Sequence, residues 1–165
     1  MIDVQNIRKR FGDQEILKAK KILMDFSNFA ATKLEGAQLS KVAGEVYSLH
    51  VLCKHLKEEL KFLYMKPKLQ SFIKSLLGPQ PDLVTIEAFL KPANTDGVTP
   101  LHQDDFYFHI NDHLGANVWI SLDGSTIDQG PLCYYRGSHK WGLCPHQVQS
   151  LGTYKFQDSA KIDEH

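Results

Sequence analysis

The sequence predicts an α+β fold in which helices come first, strands follow, and the helices pack on one side of an antiparallel sheet. Two observations carry this. Apolar residues recur at three- and four-residue steps up to about residue 80, and beyond Pro81 they fall into short runs separated by turn residues. No internal repeat or low-complexity tract interrupts the 165 residues. One domain, 1–165, is therefore expected, with a helical region 1–80 and a strand-rich region 81–165.

The first helix is expected over residues 14–29, where Ile16, Leu17, Ile22, Leu23, Phe26 and Phe29 keep helical spacing. A second, longer helix is expected from Ser40, a suitable N-cap, to about residue 63. It would carry Val42, Val46, Leu49, Leu52, Cys53, Leu56, Leu60 and Leu63 on its apolar side. Pro67 opens a third, with Leu69, Phe72, Ile73, Leu76 and Leu77 turned inward, and Gly78-Pro79 closes it. Strand-type runs succeed it at 83–90, 104–110, 116–122 and 132–135. Between them lie the turn signals Asn94-Thr95-Asp96-Gly97, Asn111-Asp112-His113, Asp123-Gly124-Ser125 and Asp128-Gln129-Gly130-Pro131.

Composition narrows the function classes. The formal net charge is zero, without the cationic excess that a phosphate-neutralising nucleic-acid binder needs. No apolar run approaches the roughly 18–20 residues that span a bilayer, and the N-terminus lacks a signal-type apolar stretch. An intracellular, reducing setting is expected. Three cysteines, Cys53, Cys133 and Cys144, cannot all pair within the chain and form no Cys-x-x-Cys, so Cys133 and Cys144 read as small core residues. No Gly-x-Ser-x-Gly elbow or phosphate-binding glycine loop occurs. The balanced charge hides a division: residues 1–80 carry an excess of six basic groups and residues 81–165 an excess of six acidic ones. Six of the eight histidines lie in the acidic half, where imidazole and carboxylate could share a divalent cation.

The strongest chemical signal is His102-Gln103-Asp104. On an extended strand, residues two apart project from the same face, so His102 and Asp104 could reach one metal ion while Gln103 points to the opposite face and reads as a supporting or structural residue. With a distant histidine they would complete the two-His-one-carboxylate triad that holds Fe(II) and leaves positions open. A surface histidine beside an acidic turn gives the same pattern.

The segments Phe89-Leu90-Lys91-Pro92, His102-Gln103-Asp104, Val118-Trp119-Ile120-Ser121-Leu122-Asp123, and Gly130-Pro131-Leu132 followed by Gly137-Ser138-His139-Lys140-Trp141-Gly142 appear in order. Together they resemble the phytanoyl-CoA dioxygenase family of Fe(II)- and 2-oxoglutarate-dependent oxygenases. The resemblance implies a jelly-roll (cupin-like, double-stranded β-helix) core of roughly eight strands with the metal at its open end. It also implies Fe(II), 2-oxoglutarate as cosubstrate, O₂, and hydroxylation of a small-molecule or acyl-type substrate as 2-oxoglutarate is decarboxylated to succinate. His102 and Asp104 correspond to the first two iron ligands, and Trp119 to a residue lining the 2-oxoglutarate pocket, although a core tryptophan accounts for it equally. Related halogenases replace the carboxylate by a small residue. The presence of Asp104 therefore favours hydroxylation.

The chain departs from the family pattern in three places. Arg136 replaces the proline expected before Gly137-Ser138-His139. None of His109, His113, His139, His146 and His165 lies in the Gly-Asp-rich strand and His-x-Ser block that supply the third ligand, and no arginine follows Arg136 to pair with 2-oxoglutarate. The jelly roll is accordingly expected to be incomplete at the C-terminus. Alternatives to the oxygenase are a non-catalytic truncated member acting as a binding module or relic, and an unrelated metal protein in which His109 and His113 join His102 and Asp104. The aromatic run Phe106-Tyr107-Phe108 could shield an oxidant or simply be core.

Overall fold

A computed structural model describes residues 11–34, 38–50, 52–95, 99–110, 114–150 and 153–156. The expected turn at 111–113, with His113, and the terminal His165 lie outside the described residues.

Helix α1 spans Asp13–Lys33. Gly12 precedes it, and the Glu15 carboxylate reaches back to accept the Gly12 N–H at 3.1 Å, satisfying one of the amides that a helix start leaves unpaired. Ala19, Leu23, Ser27 and Ala30 form its buried stripe at steps of four and three.

The long helix expected over 40–63 does not form. Its first part is a β-hairpin, β1 (Leu39–Val42) against β2 (Glu45–Leu49), joined by Ala43-Gly44. Ala43 has φ 50° and Gly44 φ 85°, the pair of positive values that a type I′ hairpin turn needs. The sequence misled for a physical reason. β2 is the central strand of the sheet β1-β2-β3, so Val46, Tyr47, Ser48 and Leu49 are all buried, and a strand covered on both faces loses its alternation. Val46 and Leu49 are then three apart, as on a helix. Beyond the hairpin the chain makes two single turns, α2 (Leu52–His55) and α3 (Lys61–Tyr64).

Helix α4 (Pro67–Leu77) forms as expected, with Pro67 in its first turn and Gly78 at φ 94° ending it. Its apolar side is less covered than its periodicity suggests. No residue of α4 is buried, and Phe72 and Leu76 are exposed.

The core joins Ala19, Leu23 and Ala30 of α1 to Leu39, Val46 and Leu49 of the hairpin and to Leu52, Leu56, Leu60 and Leu63. β3 (Ala88–Phe89) closes the antiparallel sheet, with Leu49 opposite Ala88 and Ser48 opposite Phe89. Only these two residues of the expected strand 83–90 pair. The runs 116–122 and 132–135 form no ladder, and 104–110 contains a helical turn, α5 (Asp105–Phe108). A separate antiparallel pair, β4 (His146–Ser150) with β5 (Thr153–Phe156), lies beyond the strand-type runs of the sequence. Strand pairing among the described residues is limited to these five strands, and an eight-strand jelly roll is not among them.

Cys133 is exposed and Cys144 half-buried, so neither is the core residue expected. Among the described residues, no helix is long and apolar enough to cross a membrane.

Candidate metal centre

His102 and Asp104 do meet, but not through the alternation of a strand. His102 and Gln103 are in irregular backbone, and Asp104 lies in the right-handed helical region (φ −64°, ψ −31°) at the start of α5. The Asp104 carbonyl accepts the N–H groups of Tyr107 (2.9 Å) and Phe108 (3.0 Å). His109, left-handed at φ 47°, ends the turn, and Asp105 Oδ1 accepts the Ile110 N–H at 3.0 Å. Asp105 is thereby occupied in closing the turn. This local chemistry folds Asp104 back so that its Oδ1 lies 3.2 Å from His102 Nε2.

The orientation of His102 is set from behind. Its Nδ1 is 2.7 Å from the Pro100 carbonyl, an obligate acceptor, so Nδ1 carries a proton and donates it. Nε2 then faces a carboxylate, which when ionised only accepts. Such a contact is favourable if Nε2 is protonated, making an imidazolium, or if a cation is held between the two atoms. The Asp104 hydrogen bond is the main cause of a His102 pKa held above its usual value. Burial opposes the rise, while the Pro100 carbonyl and the charges of Asp104 and Glu87 add to it.

Two further side chains contact the pair, and the charge of Asp104 acts on a third. Asn117 donates its amide to the other Asp104 oxygen, Oδ2. Tyr107 stands edge-on to the imidazole, ring centroids 5.3 Å apart at 87°. The Tyr134 hydroxyl, on a residue that is largely exposed, has a raised pKa, from desolvation first and from the Asp104 charge second. Tyr107 belongs to the aromatic run that the sequence already marks, whereas Asn117 was hidden in the expected strand 116–122 and Tyr134 in the expected strand 132–135.

The pair fits a divalent cation as two of its ligands. A neutral imidazole nitrogen and a carboxylate oxygen are suited to Fe(II). An Nδ1–H bonded to a main-chain carbonyl, and a carboxylate whose second oxygen is held by an amide, are the outer contacts that aim such ligands. A third donor is not brought in: among the described residues, no group of three or more His, Cys, Asp or Glu could hold a metal ion. Among the described residues His109 does not join His102 and Asp104, and His113, the other member of the alternative His109/His113 site, lies outside them. His146 approaches the segment but bonds to the Gln103 N–H instead.

Trp119 lies two residues beyond Asn117, and its ring packs on Phe89 with centroids 5.7 Å apart. Phe89 in turn meets Tyr47 (6.4 Å) and His50 (6.2 Å) edge-on. The 117–119 segment thus connects Asp104 to an aromatic row on the sheet. Beside that row, Ser48 Oγ is 2.7 Å from His50 Nε2, and His50 Nδ1 is 3.4 Å from Glu87 Oε2. These contacts satisfy a buried hydroxyl. Lys91, at φ 42°, donates to the Gly130 carbonyl and ties the strand exit to the Gly130-Pro131 turn.

The chain is 30% identical over 109 residues to an L-proline trans-4-hydroxylase of Streptomyces griseoviridis, 64% of this chain and 40% of that protein. It is 27% identical over 96 residues to a phytanoyl-CoA dioxygenase domain-containing protein 1 homolog of Caenorhabditis briggsae, 57% of this chain and 32% of that one. With the Caenorhabditis elegans homolog the identity is 29% over 75 residues, 44% and 26% of the two chains. The matched stretches cover between about a quarter and two-fifths of these curated relatives. No solved structure matches. The family described as Phytanoyl-CoA dioxygenase (PhyH) matches residues 13–165, nearly the whole sequence, and the chain belongs to that family.

Proposed function

We propose that His102 and Asp104 are two ligands of an Fe(II) centre in a 2-oxoglutarate-dependent dioxygenase that hydroxylates a small-molecule or acyl-type substrate, decarboxylating 2-oxoglutarate to succinate. Family membership and the similarity to a proline hydroxylase support an oxygenase-type function. The observation that carries the residue assignment is the His102 ring: Nδ1–H is committed to Pro100, and Nε2 faces Asp104 at 3.2 Å.

Bound there with 2-oxoglutarate and O₂, Fe(II) would supply the oxidising chemistry. The chain's own residues do the rest. The Pro100 carbonyl keeps Nε2 free of its proton when a cation is present. Asp104 contributes negative charge, and Asn117 holds its second oxygen so that Oδ1 is the one presented. Tyr107 packs at right angles to the imidazole and limits its rotation. Trp119 is proposed to line the 2-oxoglutarate pocket, with Phe89 fixing the plane of its indole.

The test is anaerobic titration of the chain with Fe(II) and 2-oxoglutarate, monitored for the weak visible charge-transfer band of the chelate. A band present in the wild type and abolished by His102→Ala or Asp104→Ala supports the proposal. A wild type without it, in a folded chain, counts against it. The second reading, a non-catalytic binding module of the same family, is favoured by the lack of a third donor among the described residues. It predicts no band and no succinate.

A further inference from the structure

We propose that Gln103 is a positioning residue of the His102 and Asp104 pair, acting through a three-bond anchor onto residues 142–146. The proposal rests on the metal-binding reading above. Were the segment a strand, the pleat would aim the two donors and Gln103 would lie on the opposite face. Neither donor is on a strand here; Pro100 and Asn117 hold the two side chains, and the main chain between them needs its own anchor.

Gln103 supplies three bonds. Its main-chain N–H donates to His146 Nε2 at 3.0 Å, its carboxamide N–H donates to the Gly142 carbonyl at 2.7 Å, and its carboxamide oxygen accepts the Cys144 N–H at 2.7 Å. One side chain thus both donates to and accepts from the main chain of the same distant segment. Together with the main-chain bond, this fixes the plane and direction of the Gln103 peptide, whose neighbours on either side are the donors.

His146 is prepared for its part. Its Nδ1 donates to the Cys144 carbonyl at 2.7 Å, which leaves Nε2 as the acceptor that the Gln103 N–H requires. Its ring also stacks on Phe106, centroids 4.3 Å apart at 17°. Phe106 belongs to α5, whose first turn sets Asp104. The anchor consequently grips the chain both before and after Asp104. A histidine that is not in reach as a ligand has the task of aiming the ligands.

The experiment uses two variants that keep packing and delete hydrogen bonds. Gln103→Met retains side-chain length without either carboxamide bond, and His146→Phe retains the stack without the acceptor. Co(II) affinity, the ¹⁵N shifts of the His102 ring and amide exchange at Gln103 and Cys144 are measured, with Thr126→Ala as control. That control removes a hydrogen bond from Thr126 to Gln129 in another turn. Each anchor variant is expected to weaken Co(II) binding about 10–100-fold, the usual effect of losing an outer contact. The His102 resonances should move and the two amides lose protection, while Thr126→Ala leaves all three readouts unchanged. Either variant alone suffices if the other fails to fold. Folded variants that bind Co(II) within about twofold of wild type and leave the His102 shifts in place would overturn the proposal. A wild type that does not bind Co(II) counts against the metal reading itself, and the shift and exchange measurements still decide whether Gln103 sets the geometry of the pair.

Discussion

The hairpin at Ala43-Gly44 makes a prediction whose sign separates it from the helix that the sequence suggests. A Cβ added at Gly44 would meet nothing within 4 Å, so Gly44→Ala involves no clash, only the cost of an alanine at φ 85°. Holding a non-glycine residue there costs about 1–2 kcal/mol. The stiffer unfolded chain returns about 0.4–1 kcal/mol. Gly44→Ala should then be neutral or destabilise by up to about 1.6 kcal/mol, with a midpoint of about 0.8 kcal/mol. Ala43, already at φ 50°, presents the reverse case, and Ala43→Gly should be neutral or stabilising by up to about 1 kcal/mol. In a helix both signs invert, because alanine is favoured over glycine by about 1 kcal/mol. Urea unfolding followed by far-ultraviolet circular dichroism measures both variants. For a chain of this size, 1 kcal/mol corresponds to a melting shift of about 2–4 °C. A stabilised Gly44→Ala together with a destabilised Ala43→Gly would refute the hairpin.

Leu49 is fully buried in the central strand, and Leu49→Ala should cost about 2–5 kcal/mol in denaturant unfolding, against less than about 0.5 kcal/mol for the equivalent change at exposed Ile127. His55 packs on Phe26, and its buried Nε2 has no hydrogen-bond partner among the described residues. His55→Phe should therefore stabilise the chain by about 1 kcal/mol, and a loss of stability would show that the imidazole is needed there. Glu15, hydrogen-bonded by Lys66 and the Gly12 N–H, has its pKa lowered below the usual 4.5. Its contribution is present above pH 4.5 and disappears as pH falls through the lowered value, so wild type and Glu15→Gln should converge in stability at acid pH. His102 behaves oppositely in the metal-free chain. Its pKa is raised above 6.5, so the advantage of wild type over His102→Gln should be full below pH 6.5 and fade as pH rises through the folded value. An advantage that grows with pH would contradict the His102 to Asp104 contact.

Local chemistry is legible in the sequence. Helix α1 follows from its apolar spacing, and α4 from a proline at its start and a glycine after its end, because φ restrictions and caps act within a few residues. The convergence of His102 and Asp104 is also carried by residues two apart, although for a different reason than a strand supplies. Their family resemblance rests on motif order alone. The tertiary structure decided the rest. Three- and four-residue spacing over 40–63 cannot distinguish a helix from a strand buried on both faces, and only the pairing of β2 with both β1 and β3 settles it. Asp104 folds back through a helical turn, Asn117 reaches it from thirteen residues on, and Gln103 is anchored about forty residues away. Hydrogen bonds over such separations leave no periodicity in a sequence, because their partners become neighbours only in the folded chain.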